Sequence, residues 1–139
     1  MDVPGSPLPE IFARWFAGKG WQPHAHQHDM ERAAREGKSA LLIAPTGAGK
    51  TLAGFLPSLV ELSARPERRP GRKPGEAGSN LHTLYISPLK ALTTDIARNL
   101  DAPISEMGLS IRTETRTGDT PQNRRARQRS DPPDMLLPP

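Results

Sequence analysis

Apolar positions between residues 8 and 19 fall at Leu8, Ile11, Phe12, Trp15 and Phe16, spacings that lay one stripe along a helix. That predicts a helix over residues 8–19, started by Ser6-Pro7 or Pro9 and stopped at Gly18 or Gly20. Gly20-Trp21-Gln22-Pro23 reads as a turn. A second helix is expected from about His26 to Glu36, with Met30, Ala33 and Ala34 facing inward and Gly37 as a left-handed cap. Ser39 to Ala44 is a short, continuous apolar run of the kind a buried parallel strand shows. Leu52, Phe55, Leu56, Leu59, Val60 and Leu62 then predict a helix over about 50–64, with a kink at Pro57.

Residues 65–80 hold no large apolar side chain and read as a disordered basic loop. Leu81 to Ser87 suits a strand. Ser87 and Pro88 together read as a helix start, cap then first residue, for a helix reaching about Leu100. Residues 109–115 alternate weakly and predict a third strand. Thr120-Pro121 repeats the helix-start pattern ahead of an arginine-rich helix to about Arg129, and Asp134 to Leu137 opens a fourth strand. Strands alternating with helices imply the α/β class: a mostly parallel sheet with right-handed crossovers and helices on both faces. The expected division is residues 1–38, N-terminal helices, and residues 39–139, a sheet-forming region.

Composition narrows the functional classes. The chain has 139 residues, 35 % hydrophobic and 4 % aromatic, which is lean for one globular domain. Its net charge of +4 lies wholly in residues 65–139, which suits either a polyanionic partner or a solvated basic surface. The absence of cysteine excludes disulfides, thiolate metal sites and cysteine nucleophiles. His24, His26 and His28 could form a metal pair on a strand, but no carboxylate cluster completes it, so no metal site is expected there. With neither a membrane-length apolar run nor a signal peptide, a soluble cytoplasmic protein without membrane association is expected.

The strongest chemical signal is Ala44-Pro45-Thr46-Gly47-Ala48-Gly49-Lys50-Thr51. A glycine-rich loop between a buried strand and a helix start turns several backbone N–H groups toward a polyphosphate. Gly47 and Gly49 permit close approach and positive φ. Lys50 is expected to reach the β and γ phosphates, and Thr51 to ligand Mg²⁺. Ala44 replaces the first glycine of the general pattern. A phosphate-loop enzyme of another kind, such as a small nucleotide kinase, would need a lid, and residues 65–80 suit one poorly.

Further segments agree with a more particular pattern. Gly20-Trp21-Gln22-Pro23-His24-Ala25-His26-Gln27 precedes the loop. Ser87-Pro88-Leu89-Lys90-Ala91-Leu92 and Thr117-Gly118-Asp119-Thr120 follow it. Over residues 8–137 the chain resembles superfamily 2 DExH-box DNA helicases, of the Lhr-type (large helicase-related) subgroup that includes the bacterial ligase-associated helicases. The resemblance implies a RecA-like ATP-binding domain, incomplete here, and the cofactors ATP and Mg²⁺. Gln27 would read the adenine edge, because an amide can donate and accept together. Pro45, Thr46, Gly47, Ala48, Gly49, Lys50 and Thr51 would hold the nucleotide. Trp21 suits base stacking and core packing equally.

The resemblance also gives Ser87, Pro88, Leu89 and Lys90, then Thr117, Gly118 and Asp119, to the nucleic-acid backbone; helix starts and a lysine suit phosphates. The implied partners are DNA, single-stranded or at a duplex junction, or RNA, with a DNA ligase and a nuclease as associated proteins. Arg124, Arg125, Arg127 and Arg129 are either phosphate contacts or a solvated helix face.

Helicases of this type also need a DExH box and a second motor domain carrying an arginine finger. No Asp-Glu pair occurs in this chain. The expectation is therefore the ATP-binding N-terminal portion of a helicase, slow or inactive in hydrolysis by itself and with apolar edges open to solvent. The alternative is a non-catalytic nucleic-acid-binding fragment.

Overall fold

A computed structural model describes residues 8–45, 49–65, 81–87 and 89–138. Its elements run α1 (Glu10–Gly18), α2 (Ala25–Arg35), α3 (Lys50–Ser63), β1 (Thr83–Leu84), α4 (Lys90–Glu106), β2 (Thr113–Thr115), α5 (Gln122–Ser130) and β3 (Met135–Leu137). Two compact units divide the chain, Met1–Glu61 and Leu62–Pro139.

In the first unit, α1 forms where the apolar stripe predicts it. Phe12 and Phe16, one turn apart, are buried, and burying such a ring contributes about 1.5–3 kcal/mol. Leu8, Ala53, Phe55, Leu56 and Leu59 are buried as well. α1 stops because Gly20 takes φ 71°, which lets the Trp21 N–H reach the Phe16 carbonyl at 2.9 Å and the Gly20 N–H reach Ala17 at 3.0 Å. The same closure ends α2 at Gly37, with Lys38 bonded to Ala33 and Gly37 to Ala34. The inward face of α2 differs from expectation. Its buried residues are the polar Gln27 and Glu31, one turn apart, whereas Met30 and Ala33 are half-buried and Ala34 is exposed. Helix α3 continues through Pro57 without interruption.

The strand expected over Ser39–Ala44 does not form. This stretch has no regular secondary structure, and Leu41 and Ile43 stand 85 % and 86 % exposed. The apolar run carries strand-like composition, but a strand needs a neighbour for its backbone groups, and among the described residues the paired strands are β1, β3 and β2 of the second unit.

The second unit holds a three-stranded parallel sheet in the order β1-β3-β2. The α/β class and the parallel pairing agree with the sequence reading. β3 is central: Met135 lies opposite both Thr83 and Thr113, and Leu136 opposite Leu84 and Glu114. Met135 and Leu137, two apart and so on one face, are fully buried. Asp134 fixes the junction. Its carbonyl accepts the N–H groups of His82 and Thr83, and its carboxylate accepts the Arg112 N–H at 2.8 Å. Helix α4 buries Thr93, Leu100, Pro103 and Ile104 along one face.

Several boundaries move. α4 begins at Lys90 with Leu89 as its cap, not at Pro88 after Ser87, and it runs to Glu106 rather than Leu100. α5 begins one residue after Pro121, with no side-chain cap. The basic loop expected over residues 65–80 lies, beyond Arg65, outside the described residues. Among the described residues no helix is long and apolar enough to cross a membrane.

Candidate nucleotide and nucleic-acid sites

In the first unit, Gln27 comes from the first turn of α2 and Gly49 immediately precedes α3. The Gln27 side chain, 2 % exposed, accepts the His24 N–H through Oε1 at 2.8 Å and donates from Nε2 to the Gly49 carbonyl at 3.2 Å. That carbonyl also accepts the first helical bond of α3, from the Ala53 N–H at 3.0 Å. Gly49 has φ 75°, and a Cβ there would stand 2.7 Å from Gln27 Nε2. The positive φ favours glycine, and a Cβ there would push the Gln27 amide out of place. Sequence spacing brings Gln27 near the loop. The structure makes it a brace for the loop's last residue, with one N–H and one oxygen lone pair still uncommitted in these bonds.

Lys50 and Thr51 are the first two residues of α3, both exposed, and no acidic residue shares that first turn. The positive end of the helix is thus uncompensated, the electrostatic setting for a phosphate. Pro45 is exposed ahead of the loop, and Thr46, Gly47 and Ala48 lie outside the described residues. Trp21 is 53 % exposed, packed edge-on against Trp15 at 5.7 Å with the Lys19 ammonium 5.9 Å from its ring. It is therefore not a core residue. His24, the extended residue that caps α2, and His26 in its first turn lie edge to face at 5.1 Å.

In the second unit the two corner segments each follow the end of a strand. Ser87 is buried, with its Oγ 3.5 Å from both the N–H and the carbonyl of Leu89. Leu89 and Lys90 are exposed, and Pro88 lies outside the described residues. At the other corner the Thr117 N–H donates to Thr120 Oγ1 at 2.8 Å, the Thr120 N–H to the Thr117 carbonyl at 3.1 Å, and the Asp119 N–H to Thr117 Oγ1 at 3.3 Å. Arg125 Nη2 also donates to the Thr117 carbonyl, at 2.6 Å. The turn therefore holds Gly118 and Asp119 outward. Lys90 and Asp119 form an ion pair between the two corners.

The arginines of α5 divide. Arg125 braces Thr117, and Arg127 pairs with Glu114 at 3.2 Å, while Arg124 and Arg129 are exposed. Arg127 is exposed as well, so three of the four stand on a solvated face and Arg125 alone turns inward. Asp134 and Arg112, which join the strands, carry no local sequence signal. Their partners lie 22 residues apart in the chain.

Comparison with known proteins decides the family. The DEAD/DEAH box helicase profile matches residues 24–137, a span that includes Gln27, the phosphate loop and both corners. The chain belongs to the DEAD/DEAH box helicase family. Within this family it is 39 % identical to the Lhr helicase/uracil glycosylase of Escherichia coli over 96 % of the chain and 10 % of that protein. It is 41 % identical to the Lhr helicase/probable uracil glycosylase of Mycolicibacterium smegmatis over 88 % of the chain and 8 % of that protein. Among solved structures, Mycobacterium smegmatis helicase Lhr bound to single-stranded DNA and AMP-PNP superposes with a TM-score of 0.78 at 35 % identity, covering 94 % of this chain and 17 % of that one. The DUF1998 helicase MrfA bound to DNA and AMPPNP gives 0.74 at 25 % identity, covering 94 % of this chain and 17 % of that one. The helicase-family chain thus spans about a tenth of these curated relatives' length.

Proposed function

We propose that this chain is the ATP-binding front part of a nucleic-acid helicase motor. In this reading residues 45–51 hold the nucleotide, and the corners at Ser87–Lys90 and Thr117–Asp119 contact the phosphate backbone of DNA or RNA. The observation that carries the nucleotide half is the start of α3. Gly49 has positive φ and a carbonyl held by Gln27, and the exposed Lys50 and Thr51 follow in a first turn that contains no acid. The Lys50 ammonium supplies charge to a triphosphate, and the adjacent backbone N–H groups supply donors. Thr51 presents the one side-chain oxygen that would hold Mg²⁺ in this turn; bound there, the ion would neutralise phosphate charge. The relatives solved with AMP-PNP support the same reading.

A nucleotide held by these residues alone lacks an acidic pair to orient the attacking water, since the sequence contains no Asp-Glu pair. The chain by itself is therefore a binding half-site with very slow hydrolysis. Titration of a fluorescent ATP analogue tests the nucleotide site. Lys50→Ala should abolish most of the affinity, and equal affinity in both proteins would remove the claim. A phosphate-release assay on the same samples should give a rate at background.

The second unit supports nucleic-acid contact independently of the nucleotide, because the net positive charge lies in residues 65–139 and both corners expose their tips. A chain that only binds nucleic acid would bind single-stranded DNA with a steep salt dependence and remain indifferent to ATP. Association with a DNA ligase or nuclease belongs to this same proposal, resting on resemblance to the ligase-associated helicases. Pull-down of the corresponding ligase from the native cell would test the association.

A further inference from the structure

β3 lies between β1 and β2, so the corners following the two outer strands stand on either side of its C-terminal end. With neighbouring strands about 4.8 Å apart, outer strands stand roughly 10 Å from each other. The Lys90 side chain crosses that gap and pairs with the Asp119 carboxylate. Neither end of this bridge is loose at the backbone. Lys90 is the first residue of α4, and Asp119 is held by the turn that Thr117, Thr120 and Arg125 close. Both side chains are largely exposed, at 54 % and 76 %, so water screens the pair and it is weak.

We infer that Asp119 is a built-in competitor for the anion at Lys90: its carboxylate occupies the ammonium until a nucleic-acid phosphate displaces it. The inference rests on the reading of the two corners as backbone contacts. It assigns Asp119 a role opposite to the one the corner as a whole suggests. A carboxylate cannot donate to a phosphate and repels one, so among the corner residues Asp119 alone opposes binding, and it does so by neutralising the lysine that favours it. The bridge also links the two corners. Phosphate capture by Lys90 therefore breaks the link between the corners as it forms the contact, and an empty site re-forms the link.

The test measures binding of a fluorescein-labelled oligothymidylate to the full chain by anisotropy across a salt series. Asp119→Asn keeps the backbone N–H that bonds Thr117 and removes only the charge. It should tighten binding about twofold to fivefold at low salt, the worth of an exposed ion pair, with the gain shrinking as salt rises. Lys90→Ala should cost more in the Asp119→Asn background than in the wild type, because only there is the lysine free beforehand. Asp119→Ser serves as a second charge-removing variant, and thermal melts of the wild type and all four variants check that each is folded. If Lys90→Ala weakens binding but neither Asp119 variant tightens it, the competitor role is overturned while the corner reading stands. If no substitution moves the affinity, both are overturned.

Discussion

The Nε2 of Gln27 lies 3.2 Å from the Gly49 carbonyl, 22 residues along the chain, and ties the first turn of α2 to the residue that starts α3. The other end of the same amide holds the His24 N–H. Gln27→Ala removes both bonds and leaves partly buried groups without them, a loss of about 1–3 kcal/mol. The expected outcome is a lower midpoint in urea, together with a rise of about threefold to tenfold in the dissociation constant of an ATP analogue, the free-energy scale of one lost hydrogen bond. Gln27→Glu should not rescue either, since a carboxylate lacks the N–H that Gly49 accepts.

Gly49→Ala probes the same joint from the other side. The new methyl group meets Gln27 Nε2 at 2.7 Å in a backbone conformation with φ 75°. A non-glycine residue in that region costs about 1–3 kcal/mol. Thermal unfolding should show the loss, and nucleotide titration should show the site disrupted. By contrast, Gly54→Ala on α3 meets nothing within 4 Å and should be neutral or slightly stabilising.

How much of this was readable beforehand differs between the two units. The helices of the first were plain, because Phe12 and Phe16 or Leu56 and Leu59 repeat at helical spacing and the glycines after α1 and α2 have one use there. What α2 buries was not plain: Gln27 and Glu31 are polar, and polarity alone places a side chain outside. Ser39–Ala44 misled for the opposite reason. Its composition says buried strand, yet a strand is a relation between two segments, and composition describes one. The same limit hid Asp134, whose carboxylate accepts a backbone N–H two elements away. The chemistry-bearing loop was legible because its function depends on local order alone: glycine, glycine, lysine, threonine.

Asp134 gives a stability prediction that does not touch the nucleotide. Its carboxylate is buried and accepts from Arg112. Asp134→Ala leaves that N–H short of a partner where β2 enters the sheet, with an expected cost of about 1–3 kcal/mol. Denaturant unfolding followed by far-ultraviolet circular dichroism measures it. An unchanged midpoint would mean that the three strands are held by their backbone ladder alone.

Leu41 and Ile43 predict the behaviour of the chain in concentrated solution. Both are exposed in a stretch without regular secondary structure. Replacing each with lysine removes no buried contact, so stability should stay within about 0.5 kcal/mol. Aggregation should fall, because an unpaired apolar segment is a template for intermolecular pairing. Light scattering against concentration measures the difference between the double variant and the parent.

The place of β3 sets a timetable for the second unit. Among the described residues β1 and β2 do not pair with each other; each pairs with Met135–Leu137. During synthesis, helices α4 and α5 can form as soon as they are made, since their bonds are local. The sheet cannot begin until residue 137 has left the ribosome, and then both of its seams close around one strand. Thr83 must wait for a residue more than fifty positions downstream, the slow, non-local closure that leaves an emerging chain longest in need of a chaperone.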